Sequence, residues 1–170
     1  MTSIRSKHSL PSLLLGCALL WSGHALALDK GAVAPAFDLQ GLSGPVSLAK
    51  YQGKLVYVDF WASWCGPCRQ SFPWMNEMQA KYGPQGLQVV AINLDAKNTD
   101  AREFLSANPA QFTVAFDAAG AVPRSYGLKG MPSSYLIGKD GKLLVEHMGF
   151  NAADRAVLEE AIKSALGTAK

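Results

Sequence analysis

An α/β domain is predicted, with a central mixed, mostly parallel sheet, helices on both faces and an added N-terminal β-hairpin. Three observations lead there. Between Lys54 and Leu166, apolar runs of strand length alternate with segments of helical period, and such alternation needs crossovers that cover a parallel sheet. The run Leu87 to Asn93, in which Val89, Val90 and Ile92 mark a strand, reads as buried on both faces. Asp140-Gly141 is a strong turn signal, so the strands on either side of it form an antiparallel hairpin.

The chain has 170 residues, 49% of them hydrophobic, which is enough for one domain with a sizeable core. Its formal charge is +3, from 16 basic and 13 acidic residues. Arg5 and Lys7 belong to the leader described next, so the domain itself is close to neutral and shows no sign of a nucleic-acid partner.

Residues 1–27 have the build of a cleavable signal peptide. A basic start leads into the apolar stretch Leu10 to Trp21 and then to Ala25-Leu26-Ala27, with cleavage expected after Ala27. Pro11 and the Ser22-Gly23-His24 break leave that stretch short of a spanning helix. Leu14-Leu15-Gly16-Cys17 also resembles a bacterial lipobox. On that alternative the signal ends at Gly16 and Cys17 carries a lipid tether. Either way residues 28–170 form one domain outside the cytoplasm, where disulfides persist.

Phe37 to Leu39 and Val46 to Leu48, separated by Gly41 to Pro45, predict two short strands and a turn. Lys54 to Trp61 is the first core strand, with Val56, Val58 and Phe60 on one face and Tyr57 and Asp59 on the other. A helix follows from Pro67 or Cys68 to Lys81, with Phe72, Met75, Met78 and Tyr82 on its buried side. Pro73 within it predicts a bend near Gln70 to Pro73. After the strand Leu87 to Asn93, Asp95 reads as a solvated loop acid. Thr99 or Asp100 is the expected cap of a second helix, Ala101 to Ala107. Thr113 to Phe116 is a strand, Ala121 to Tyr126 a brief helix, and Ser134 to Ile137 pairs with Leu143 to His147. Asn151 is expected to cap the closing helix, whose buried stripe is Val157, Leu158, Ile162 and Leu166. His147 reads as a half-exposed strand residue without a catalytic role.

The chemistry gathers where the first core strand hands over to its helix, at Trp64-Cys65-Gly66-Pro67-Cys68. Backbone N–H groups at a helix start lack partners and stabilise a thiolate placed there, which makes Cys65 the candidate nucleophile. Cys68, one turn on, is close enough to close a small disulfide with it. A zinc site would need four ligands, and outside the leader only His147 remains to join the pair. A merely structural staple closing so short a loop would constrain the unfolded chain little. Asp59 is an acid inside an apolar strand, so burial should raise its pKa and let it hold or accept a proton near neutral pH.

The run Trp64 to Cys68 resembles the active-site run of the thioredoxin superfamily, and Asp59 falls where thioredoxins carry a buried acid. The N-terminal strand pair is similar to that of its exported TlpA-like or ResA-like branch. The resemblance implies the thioredoxin fold and a protein-disulfide reductase activity, in which Asp59 helps to deprotonate Cys68. It also implies a cis peptide at Met131-Pro132 facing the cysteines. Trp64, Gly66, Pro67, Met131 and Pro132 would then line the substrate site. No metal or other cofactor is needed. The implied partners are disulfide- or dithiol-containing proteins of the bacterial cell envelope and a membrane thiol carrier that donates electrons. The implied location is the periplasm, and the protein is expected to be a monomer. Gly66-Pro67 resembles the dipeptide of reducing members. A dithiol oxidase of the same fold remains open, as does a copper-handling assembly chaperone using the two thiols, with Met131 and Met148, as Cu(I) ligands.

Overall fold

The computed structural model describes residues 28–167, so the signal segment and its lipobox alternative lie outside the described residues. Seven strands and four helices follow in the order β1 (Asp38–Gly41), β2 (Gly44–Ser47), β3 (Leu55–Trp61), α1 (Gly66–Tyr82), β4 (Leu87–Asn93), α2 (Asn98–Ala107), β5 (Thr113–Phe116), α3 (Ala121–Ser125), β6 (Ser133–Ile137), β7 (Leu143–Met148) and α4 (Asp154–Leu166). They build one sheet in the order β2-β1-β5-β4-β3-β6-β7.

The sheet is mixed, but it is parallel only at its centre, where β4 pairs with β3 and β5. The expectation of a mostly parallel sheet is corrected on both sides. β6 runs antiparallel to β3 and to β7, and β1 runs antiparallel to β5 and to β2. Strand-helix alternation implies parallel neighbours only where a helix crosses over between adjacent strands. β6 instead pairs with the far side of β3, so it enters in the opposite sense.

β3 is buried along its whole length because it sits inside the sheet with both faces covered. Leu55, Tyr57 and Trp61 pack with the buried sides of α1, α2 and α4. Val56, Val58 and Phe60 pack on the other face with Phe37, Val46, Val122 and Tyr126. The strand-initial hairpin is therefore part of the second core layer. Tyr126 Oη donates to the Pro35 carbonyl at 2.9 Å, and Tyr135 Oη donates to the Tyr126 carbonyl at 3.1 Å, tying that layer together.

α1 continues across Pro73 without interruption. Proline cannot donate to the Arg69 carbonyl one turn back. Ser71 Oγ donates to the Cys68 carbonyl at 2.9 Å, a side-chain bond inside the same turn. Three boundary expectations shift. α2 begins at Asn98 after Lys97, with no side-chain cap, and so starts before Thr99 and Asp100. α4 begins at Asp154, and Asn151 Oδ1 accepts from Ala153 N at 2.8 Å in the turn leading into it. Val157 is 65% exposed, so the buried stripe of α4 is Leu158 and Ile162, with Leu166 packed at its margin.

Candidate active site

The last residue of β3 is Trp61, and α1 begins at Gly66, so four residues turn the chain from sheet to helix. Trp61 is fully buried, with ring centroids 4.8 Å from Phe72 and 4.9 Å from Phe104. Phe72 in turn meets Phe104 at 5.0 Å and Phe112 at 5.3 Å. Each such edge-on or tilted pair adds about 0.5–1.5 kcal/mol beyond simple burial. The cluster joins β3, α1 and α2 directly beneath the turn.

Cys65 is the N-cap of α1, in extended conformation, and it is disulfide-bonded to Cys68. Its Sγ accepts from the Cys68 backbone N–H at 3.3 Å. Pro67 occupies the second position of the helix, where a missing N–H leaves no ladder bond unmade. Once the bridge is reduced, the same helix end favours a negative charge on the Cys65 sulfur. Gly66 and Pro67 are exposed and Trp64 is 73% exposed, whereas Cys68 is wholly buried. Both cysteines are buried, Cys65 at 5% exposure and Cys68 at 0%, so of the two only Cys65 keeps any surface, next to exposed Trp64, Gly66 and Pro67.

The antiparallel register places Phe60 opposite Ser133 and Asp59 opposite Ser134. The residues just before β6 therefore lie beside the end of β3 from which the cysteines depart. Those residues are Met131 and Pro132, and the peptide bond between them is cis. Met131 packs, partly buried, against the apolar cluster that contains Cys65 and Cys68. Met148, opposite Ser133 on β7, is exposed at the same end.

Asp59 is 2% exposed and sits on the sheet face that carries α1. Its Oδ2 has no hydrogen-bond partner among the described residues. Burial pushes its carboxyl well above the usual carboxylate range, as expected for a charge deprived of water. Tyr57 lies on the same face. Burial raises its phenol first, and the neighbouring Asp59 charge adds to the effect.

The expectation for Asp95 is overturned. It is only 3% exposed, and its carboxylate accepts from Ser63 N at 3.0 and 3.2 Å, from Ser63 Oγ at 3.0 Å and from Asn93 Nδ2 at 2.8 Å. Asn93 Oδ1 accepts in return from Asp95 N at 3.0 Å. Asp95 therefore clamps the turn that carries Trp64 and Cys65. The signal for it was present in the sequence: a polar pair, Asn93 and Asp95, ends a buried strand on the same side as the cysteines. A loop position implies solvent only where nothing covers it, and here the Ser63 turn folds over Asp95.

Two sulfurs joined at a helix start, beside a buried acid whose proton affinity burial raises, can exchange a disulfide for two thiols. The comparisons agree with that chemistry. The family model described as Redoxin matches residues 29–162. The thiol-disulfide oxidoreductase ResA of Bacillus thuringiensis subsp. konkukian is 34% identical over 137 residues, covering 80% of this chain and 78% of that protein. ResA of Bacillus subtilis is 29% identical, covering 69% of this chain and 66% of that protein. Among solved structures, a putative thiol:disulfide interchange protein DsbE from Chlorobium tepidum is 61% identical with a TM-score of 0.82, covering 83% of this chain and all of that one.

Proposed function

The chain belongs to the redoxin family and is a thioredoxin-like thiol-disulfide oxidoreductase of the ResA and TlpA type; from that premise we propose that it works as a reductant of protein disulfides in the bacterial cell envelope. The observation that carries the reading is the Cys65–Cys68 disulfide seated on the first turn of α1, with its inner sulfur buried on the face that holds Asp59.

The reaction begins from the dithiol. The Cys65 thiolate, stabilised by the helix end, attacks one sulfur of a substrate disulfide lying against Trp64, Gly66, Pro67, Met131 and Pro132. The substrate's other sulfur leaves as a thiolate and takes a proton from water. Asp59 then accepts the Cys68 thiol proton, and the Cys68 thiolate attacks Cys65 Sγ. The Cys65–Cys68 bond forms, the bond to substrate breaks, and the second substrate sulfur leaves as a thiolate that takes a proton from water. Two electrons pass from the protein to the substrate. A membrane thiol carrier restores the dithiol by the same exchange in reverse.

Export by the leader at residues 1–27, cleaved or lipidated, places the protein in the periplasm, where such disulfides occur. No described helix is long and apolar enough to cross a membrane. Gly66-Pro67 between the cysteines supports the reducing direction, since no histidine stands there to stabilise the Cys65 thiolate further. The test is the equilibrium potential of the Cys65–Cys68 couple. A value near the roughly −270 mV of thioredoxin is expected, and one near the roughly −120 mV of a strong oxidant would overturn the direction. In the same preparation Cys65→Ser should be inert, and Cys68→Ser should accumulate a mixed disulfide with substrate.

A further inference from the structure

In the first exchange Cys65 Sγ attacks one substrate sulfur while the other leaves from its far side, so the rate depends on holding Cys65 Sγ in line with the bond it breaks. The seat for that bond lies between two flanks. At the end of β3 the strand order puts β6 on one side and β4 on the other. Met131 and Pro132 stand on the β6 side, just before Ser133, which pairs with Phe60. Asn93 and Asp95 stand on the β4 side, where Asn93 pairs with Trp61.

The turn between the flanks runs from Ala62 to Cys65. Cys65 N donates to the Ala62 carbonyl at 3.1 Å, which closes the turn without tying it to any other segment. That tie comes from Ser63. Its backbone N–H donates to Asp95 Oδ2 at 3.0 Å, and its hydroxyl donates to Oδ1 at 3.0 Å. Asp95 is itself footed on β4. Asn93 Nδ2 donates to Asp95 Oδ2 at 2.8 Å, Asp95 N donates to Asn93 Oδ1 at 3.0 Å, and Asp117 N, following β5, donates to the Asn93 carbonyl at 2.9 Å. Asn93 and Asp95 are both buried, where water competes little for such bonds. Trp64 lies between Ser63 and Cys65 in the chain and is exposed, so the bonds that place Ser63 also place the ring against which the substrate lies.

We propose that Asp95 is a positioning residue for the first exchange: through Ser63 it fixes Trp64 and Cys65 against the sheet, and so sets the gap between Cys65 Sγ and Met131-Pro132 in which a substrate disulfide aligns. This rests on the reading that Cys65 is the attacking thiol. Asp95 bonds to neither sulfur, and no proton or electron passes through it. The groups it holds, the Ser63 N–H and hydroxyl, are chemically the same in the dithiol and the disulfide. The clamp therefore governs the speed of the exchange in both directions and leaves the equilibrium where it was. Asp59 governs the step that follows, when Cys68 gives up its proton, so the two aspartates act on successive exchanges.

The experiment is a stopped-flow measurement of attack by Cys65 in a Cys68→Ser background, which stops the reaction at the mixed disulfide. Two disulfides are compared: insulin, which must seat against the protein, and dithiobis-nitrobenzoate, a small aromatic disulfide that needs no seat. With Asp95→Ala added, attack on insulin should slow by about tenfold, below the roughly 10²-fold that misplacement by an ångström can cost. Attack on the small disulfide should stay as it was, since the helix end that stabilises the thiolate is untouched. Asp95→Asn keeps an acceptor for the Ser63 N–H, and Ser63→Ala keeps that N–H and loses only the hydroxyl, so both should fall between wild type and Asp95→Ala. These two also carry the test if Asp95→Ala does not fold. In proteins that retain both cysteines the reduction potential should equal that of the wild type. Unchanged attack on insulin overturns the proposal. So does equal slowing with both disulfides, or a shifted potential, because either marks a general loosening of the fold or an altered thiol. A Cys68→Ser protein with Asp95 intact that forms no mixed disulfide with insulin sinks the underlying reading of Cys65 instead, a result distinct from the others.

Discussion

Asp59 and Asp95 are both aspartates, both buried, and both close to the turn that carries the cysteines, yet their surroundings are opposite. Asp95 accepts hydrogen bonds from Ser63 N, Ser63 Oγ and Asn93 Nδ2. Asp59 Oδ2 accepts none among the described residues. Burial alone is costly for either charge, by several kcal/mol if uncompensated. Donors offset that cost at Asp95 and make it a fixed brace. Without donors, ionised Asp59 is costly to keep, so its affinity for a proton is raised, which fits it to take one from the Cys68 thiol. The count of donors, and not depth in the fold, separates the two roles.

The largest effect expected from breaking that contrast is at Asp59. Asp59→Asn removes the proton acceptor and keeps the shape, so resolution of the mixed disulfide should slow by about 10²-fold or more. The first attack by Cys65 should be nearly unchanged. Stopped-flow measurement of the two steps separates them, and equal slowing of both would place Asp59 elsewhere in the mechanism.

At Asp95 the expected loss is in stability. Asp95→Ala leaves the Ser63 and Asn93 donors unpaired in a buried site, at a cost of about 2–3 kcal/mol. Denaturant unfolding of the oxidised protein reads this directly, and an unchanged midpoint would show that the clamp is replaceable.

The pH dependence of stability sharpens the contrast further. Asp59 has a raised value in the folded state, so between the ordinary carboxylate value and that raised value the folded chain binds a proton that the unfolded chain has released. Stability from this group is complete below about pH 4 and declines as pH rises toward the folded value. Relative to Asp59→Asn, the wild-type unfolding midpoint should therefore fall with rising pH. A parallel pair of curves would mean that Asp59 finds compensation in the folded state. The smallest effect is expected for Ser63→Ala, which removes one donor to Asp95 and keeps the backbone one, costing about 0.5–1.5 kcal/mol.

The thiol pair, its place at the start of α1, the cis bond before β6 and the Asp140-Gly141 hairpin were all legible in the sequence, directly or through resemblance. Each is written in residues a few positions apart, where helix period, turn chemistry and a five-residue motif carry the information. The error at Val157 was of another kind. A helical stripe can be drawn one residue too wide, because neighbouring helix positions differ by only about 100° in direction.

By itself, then, the amino-acid order determined the reactive element and the sequence of strands and helices around it. Only the folded arrangement decided what surrounds that element. Ser63 meets Asp95 across 32 positions of chain, and Asp59 stands opposite Ser134 through the antiparallel entry of β6. Such neighbours follow from strand order and register, which local periodicity does not encode. Whether a buried acid becomes a brace or a proton carrier depends on the donors those distant segments bring to it.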